Sequence, residues 1–213
     1  MLDSHHLSSS SSLEVAPFPG IDEEAAFLDY LLDDVWDILA QGVRVRFAAA
    51  HTPTLATLRN GAPNVRTVVL RAVSRASAMI FVHADRHSGK VQELIHQPAC
   101  SLHIFDAGRR VQLRIEAHAS LHVDDDIADG QWAALQAQYR AQQRRSSAAV
   151  AAQGIPEVAI DDVDGLAEAG RREDFVAIAL HVSAIEWLHI GSRGRRRARF
   201  EIGASPKGYW LDA

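Results

Sequence analysis

One cysteine, Cys100, stands alone in 213 residues, so no internal disulfide can form. It sits in the apolar run Ala99–Phe105, where a free thiol ordinarily serves as a small buried hydrophobe. A chain without disulfides suits a reducing cytoplasm, and that is its expected location. Positive charge is also short: 22 Lys and Arg against 27 Asp and Glu give a formal net charge of −5. No global basic field exists to draw nucleic acid or an anionic membrane, and neither partner is expected. No apolar stretch approaches the roughly 20 residues that span a bilayer. The N-terminus shows neither the basic region nor the apolar core of a signal peptide.

Several chemical signatures are missing as well. No GxGxxG or GxxxxGK(S/T) loop marks a nucleotide fold, and strands do not alternate with long helices. No HExxH or clustered Cys/His spacing is present, so no metal is expected. The histidines at 51, 83, 96, 103, 118, 122, 181 and 189 read as partly buried strand residues rather than ligands. No GxSxG or Cys/His pairing favours covalent catalysis, and the sequence singles out no catalytic residue.

What is present fits a soluble globular protein, 47% hydrophobic and 23% charged. Residues 1–20 are polar, with the serine run Ser8–Ser12 and two prolines; they are expected to be a disordered tail, His5 and His6 included. Residues 21–213 are expected to form one domain. A helix is expected over Ile21–Gln41, with Phe27, Leu28, Leu31, Leu32, Val35, Ile38 and Leu39 in an apolar stripe and Gly42 ending it.

The period then changes to two. Leu55–Leu58 and Asn64–Ala72 read as strands around the hairpin signal Asn60-Gly61. Ala78–His83 is a third strand, and Ser88 can cap a short helix to Gln97. Ala99–Phe105 and Arg110–Val123 follow as strands, then a helix from Asp124–Asp126 to about Gln143. Residues 144–172 read as loop, and Phe175–Ile190 and Arg195–Ile202 close the chain as a hairpin turned at Gly191–Gly194. Consecutive strands joined by tight turns predict a mainly β protein with flanking helices, an antiparallel sheet closed as a barrel.

Three stretches carry candidate chemistry. In Arg66-Thr67-Val68-Val69-Leu70-Arg71, alternation puts Arg66, Val68 and Leu70 on one face and Arg71 on the other. An arginine inside a β-branched run either meets a partner or reaches water from an edge strand. In Asp85-Arg86-His87-Ser88-Gly89-Lys90, a helix start joins hydroxyl and cationic groups, which serves a phosphate or is simply a solvated cap. In Arg110–Glu116, Gln112, Arg114 and Glu116 share a face, able to meet the polar edge of a flavin ring or plain solvent. A basic cluster, Arg193, Arg195, Arg196, Arg197 and Arg199, lacks interleaved aromatics; it reads as a phosphate-binding or solvated turn.

The runs LATLRNGAPNVRTVVLR (55–71), DRHSGKVQELIHQP (85–98), RVQLRIEA (110–117) and RRRARF (195–200), in that order and spacing, resemble the FMN-binding pyridoxamine 5'-phosphate oxidase-like family. The resemblance implies a split β-barrel that works as a homodimer, with FMN at the subunit interface and a small-molecule substrate. It implies FMN contacts from Arg66, the backbone of Thr67, Val68, Val69 and Leu70, and from Arg71, which stands where the oxidases carry lysine. His83 and Ala84 match a pair that touches the flavin, and Ser88 and Lys90 match phosphate-side contacts. Gln112 matches a ring-contacting glutamine reaching across the dimer, and Arg199 a late FMN-contacting arginine.

The chain also departs from the family pattern. The serine–arginine–lysine run reads Ser88-Gly89-Lys90, with Arg86 or His87 as substitutes for the missing arginine. The late arginine-x-histidine pair reads Arg195-Arg196-Arg197, and the flavin-stacking tryptophan position aligns on Leu188. Residues 139–153 hold no counterpart of the oxidases' substrate loop. FMN binding is therefore the firmer expectation, with an FMN-dependent oxidoreductase activity on an unidentified substrate. The alternatives are a non-enzymatic flavin-binding or storage protein, or a barrel holding haem or a deazaflavin.

Overall fold

In the computed structural model, residues 21–153, 171–191 and 194–212 are described. The expectation of a disordered tail falls on residues 1–20, outside that set, as do residues 192 and 193 of the last turn. Helix α1 is Ile21–Arg44, followed by a short 3-10 turn at Ala49–His51. Strands β1 (Thr54–Arg59), β2 (Ala62–Thr67), β3 (Leu70–Ser74) and β4 (Met79–Asp85) lead to helix α2 (Gly89–His96). Strands β5 (Ala99–Asp106) and β6 (Val111–His122) precede helix α3 (Asp126–Gln153), and β7 (Phe175–Gly191), β8 (Gly194–Glu201) and β9 (Lys207–Leu211) complete the order.

Among the described residues, all nine strands belong to one antiparallel sheet, ordered β2-β1-β5-β6-β7-β4-β3, with β8 on β7 and β9 on β8. The ends of that path, β2 and β3, are consecutive in the chain and separated only by Val68 and Val69. The sheet must therefore curl until its two ends meet, and a barrel results. The single strand expected over 64–72 is in fact two. Its run of β-branched residues continues, but the chain changes partners from β1 to β4 at the junction, where the Val68 amide bonds Pro53 O at 2.9 Å.

β7 is the hinge of the architecture. Its first half pairs with β4 and its second half with β8, while β6 runs along both. A register shift between Glu116 and Ala117 bends β6 where this exchange occurs. The inward residues of the strands, among them Leu55, Leu70, Ile80, Leu102, Leu113, Ile115, Ile178, Ile185 and Phe200, are almost wholly buried. The stripe of α1 joins the same core through Leu31, Leu32, Val35, Trp36, Ile38 and Leu39.

Two helix boundaries and one strand differ from expectation. Gly42 does not end α1, which runs on to Arg44. A Cβ at Gly42 would lie 2.6 Å from the Ala50 carbonyl carbon, so the glycine answers a close approach rather than a stop. Helix α3 is capped by Asp125, whose carboxylate accepts the Ala128 amide at 2.8 Å, and it continues to Gln153 instead of ending near Gln143. The loop reading of residues 144–153 is thereby corrected; residues 154–170 lie outside the described set. Strand β9 was not expected at all. The Asn60-Gly61 turn is as expected, with φ of 52° and 79°. Cys100 is buried, and desolvation pushes its thiol up to about 12.

Candidate functional site

The hairpin β1–β2 and the start of α2 enclose an open pocket of about 320 Å³ lined by Arg59, Asn64, Val65, Arg66, Ser88, Gly89, Lys90 and Glu93. Strand alternation puts Thr57 and Arg59 of β1, with Asn64 and Arg66 of β2, on the face turned to α2. Glu93, one turn into α2 and only 7% exposed, organises them. Its Oε2 accepts Arg66 Nη2 at 2.6 Å and the Thr57 hydroxyl, and its Oε1 accepts Asn64 Nδ2 at 2.7 Å. Arg66 also donates to Thr57. Burial alone would raise the Glu93 pKa, but these donors and the Arg66 charge outweigh it and hold the carboxyl below its ordinary value. Arg66 is thus partnered, not an edge-strand arginine in water.

Ser88 occupies the position before the first turn of α2, yet its hydroxyl makes no capping bond. Ser88 Oγ is buried and has no hydrogen-bond partner. The expectation of a serine cap is corrected, because the hydroxyl is left available to something else. The first amides of α2 have no intrahelical acceptors and add positive partial charge at the same spot. The proposed substitutes for the missing arginine point elsewhere: Arg86 Nη1 donates to Glu173 O at 3.0 Å, and His87 Nε2 lies 3.6 Å from Asp174.

The other candidate residues lie apart from this pocket. Thr67 is exposed at the end of β2; Val68, Val69 and Leu70 are buried at the β2–β3 junction; Arg71 sits in the bulge of β3. Ala84 is part of the core. His83 faces α3: its Nε2 is 3.1 Å from Gln131 Oε1, and its ring meets Phe175 edge-on at 4.8 Å. Burial drives its pKa down to about 4, the Gln131 bond opposing and the Arg71 charge assisting. His83 is therefore neutral near pH 7.

Gln112 and Arg199 lie on the outer face of the sheet. Gln112 stands between Phe105 and Leu188 in its ladder. Arg199 is bound within a network rather than open to solvent. Its guanidinium donates to both Glu116 oxygens at 2.7 and 3.0 Å and to Glu201 at 2.7 Å. Arg114 and Arg197 meet Glu186 beside it. The bonds from Arg199 hold the Glu116 carboxyl below its ordinary value, and those from Glu116 and Glu201 raise the Arg199 pKa. The ladder from Arg199 runs through Glu186, Arg114, His103 and Thr54 to Thr67, the neighbour of Arg66. The path along the curved sheet is five strand spacings of about 4.8 Å, and Arg66, one residue from Thr67, turns to the opposite face.

The sequence matches the family model for pyridoxamine 5'-phosphate oxidase over residues 39–167, more than half of the chain. The chain belongs to the FMN-binding pyridoxamine 5'-phosphate oxidase-like family. Solved structures agree on the split-barrel fold. A pyridoxamine 5'-phosphate oxidase-related, FMN binding protein from Nostoc punctiforme is 19% identical with a TM-score of 0.59, over 85% of this chain and 96% of that one. PhzG from Burkholderia lata, solved in complex with tetrahydrophenazine-1-carboxylic acid, is 20% identical with a TM-score of 0.62, over 95% of this chain and all of that one, 100%. A search of curated proteins finds no match.

Within this family chain, Arg66, Ser88 and Lys90 are the sequence-identified residues that the fold brings together. Arg59, Thr57, Asn64 and Glu93 were missed. Their strand-and-helix spacing carries no signal until β1 is paired with β2 and α2 is laid against them. The donor set fits a phosphate: cations, a hydroxyl lacking a partner and the amides of a helix start. No helix among the described residues is long and apolar enough to cross a membrane.

Proposed function

We propose that this protein binds FMN with its phosphate in the β1–β2–α2 pocket and acts as an FMN-dependent oxidoreductase on a small molecule. The observation that carries the reading is the buried, unpartnered Ser88 Oγ beside Arg66 and Lys90 in a chain of this family. Bound FMN would supply a hydride acceptor. The chain's own part is placement: Glu93 fixes the Arg66 fork, Ser88 and the α2 amides face the phosphate, and Arg71 contributes positive charge near the ring. His83, neutral and tied to Gln131, offers shape and a hydrogen bond rather than a charge.

The proposal includes a homodimer. Gln112 and Arg199 lie on the outer face of the sheet and Arg66 turns to the opposite one, which supports a flavin reached from two copies. A second copy supplying its own outer face would complete the site. The absorbance spectrum of the purified protein tests the cofactor. Flavin bands, with FMN released on denaturation, are expected; a haem Soret band or a deazaflavin spectrum would sink the reading. Reduction of the bound flavin by candidate donors then tests turnover.

A second reading, flavin binding without turnover, draws on the late basic run. Arg196 stacks over Trp210 at 4.4 Å and Phe27 at 5.3 Å, and Arg197 is held by Glu186. Two of the three arginines at 195–197 thus serve the fold. A flavin that no donor reduces would favour this second reading.

A further inference from the structure

The geometry points to Arg59 as a phosphate-binding residue of the β1–β2–α2 pocket, replacing from the hairpin the cation that Gly89 does not supply from the helix. The inference rests on the FMN reading for what carries the phosphate, but not for the chemistry of the pocket. Arg59 is the last residue of β1, and the turn Asn60-Gly61 follows it directly. Alternation from Leu55 and Thr57 turns it to the same face as the Arg66–Glu93 cluster, and it lines the pocket with Ser88, Gly89 and Lys90. Among the described residues it forms no ion pair, whereas Arg66 is held by Glu93.

Charge decides what the pocket suits. The lining carries three cations, Arg59, Arg66 and Lys90, and one carboxylate, Glu93, a set that suits a phosphate monoester carrying about −1.5 to −2 near neutral pH. Without Arg59 the lining keeps two cations, and one of them, Arg66, is held by Glu93. Arg86 and His87 do not line the pocket: Arg86 donates to the Glu173 carbonyl, and His87 lies 3.6 Å from Asp174. At Gly89 itself no side chain reaches the phosphate. A Cβ there would meet nothing nearer than Glu93 Oε1 at 3.8 Å, so the helix start is open for an anion to approach from the hairpin side. An arginine brings a planar fork to a phosphate and can bind two of its oxygens at once.

The test titrates full-length wild type, Arg59→Gln and Arg59→Lys with FMN, riboflavin and inorganic phosphate. Flavin binding is read by fluorescence quenching, phosphate binding by phosphorus NMR line broadening. Arg59→Gln is expected to weaken FMN and phosphate by about tenfold or more, the usual worth of a charge-assisted contact, and to leave riboflavin unchanged. Arg59→Lys should recover part of the loss. Unchanged FMN and phosphate affinity in Arg59→Gln overturns the inference, as does an equal loss of FMN and riboflavin. If wild type takes phosphate but no flavin, the FMN reading fails, and the phosphate arm still decides Arg59. If wild type takes neither, both fail. Circular dichroism of the variants excludes misfolding at this exposed hairpin position.

Discussion

His83 shows how a single residue's surroundings set its chemistry. The sequence places it in a strand of mixed character, where its partner could not be foreseen. The fold lays α3 across it, and Gln131, far away in sequence, becomes its hydrogen-bond partner. Burial then lowers its pKa from 6.5 to about 4. The unfolded chain takes up the proton near pH 6.5 while the folded one resists until about pH 4, so stability is full above that window and falls as pH drops through it. The loss should approach about 3 kcal/mol by pH 4. Urea unfolding of wild type between pH 7.5 and 4.5 should show this slope, and His83→Gln should flatten it. An equal slope in both would mean that other groups titrate there.

Glu93 poses the reverse case. Its carboxyl sits below the ordinary glutamate value of 4.5, so its contribution is complete above that pH and fades only as the pH falls further. The two windows are therefore separable. Glu93→Gln removes the charge that holds Arg66 in place while keeping the shape. Because Arg66 is only partly exposed, the variant should lose about 2 kcal/mol at pH 7, read from the urea midpoint. A loss no larger than a few tenths would mean that the cluster is already screened by solvent. Arg66 was legible because an arginine is unusual in a β-branched run, and Lys90 because it stands with Ser88 at a helix start. Arg59 was not, because an arginine beside a hairpin turn looks like any solvated turn residue until α2 is placed.

At the level of elements, period-two alternation located nearly every strand, since each carries one buried and one outward face. It failed where the cause was not local. Nothing in Arg66–Arg71 announces that β2 and β3 serve opposite ends of the sheet, because that exchange is decided by β1 and β4. Strand β9 is five residues with Gly208 inside, too short for alternation to register. The far end of α3 runs through Ala and Ser with no apolar stripe, so the helical period fades although the helix does not. Gly42 was read as a stop because glycine usually ends helices; its actual task is contact. Gly42→Ala should strain α1 against the turn at Ala49–His51 and cost about 1–3 kcal/mol, the usual range for overpacking. Thermal unfolding checks this, and an unchanged midpoint would show that the turn moves aside freely.

At the scale of the whole molecule, the two halves of the expected site lie on different parts of one sheet, the pocket at β1–β2–α2 and the Gln112–Arg199 face on β6–β8. A closed two-fold dimer would bring the pocket of one copy to the face of the other. This arrangement has a consequence that a site within one chain lacks. Let one variant carry a ruined pocket, Lys90→Gln with Arg66→Gln, and another a ruined face, Gln112→Ala. Each homodimer then has two defective sites. A mixed dimer has one site with both defects and one with none, because the intact pocket of one copy meets the intact face of the other. Unfolding and refolding an equal mixture gives about half mixed dimers, so about one quarter of all sites should regain wild-type FMN affinity. Fluorescence titration should resolve that tight fraction. If the mixture shows only the weak affinities of its parents while light scattering confirms exchange into mixed dimers, the pocket and the face act within a single copy and the shared site is wrong.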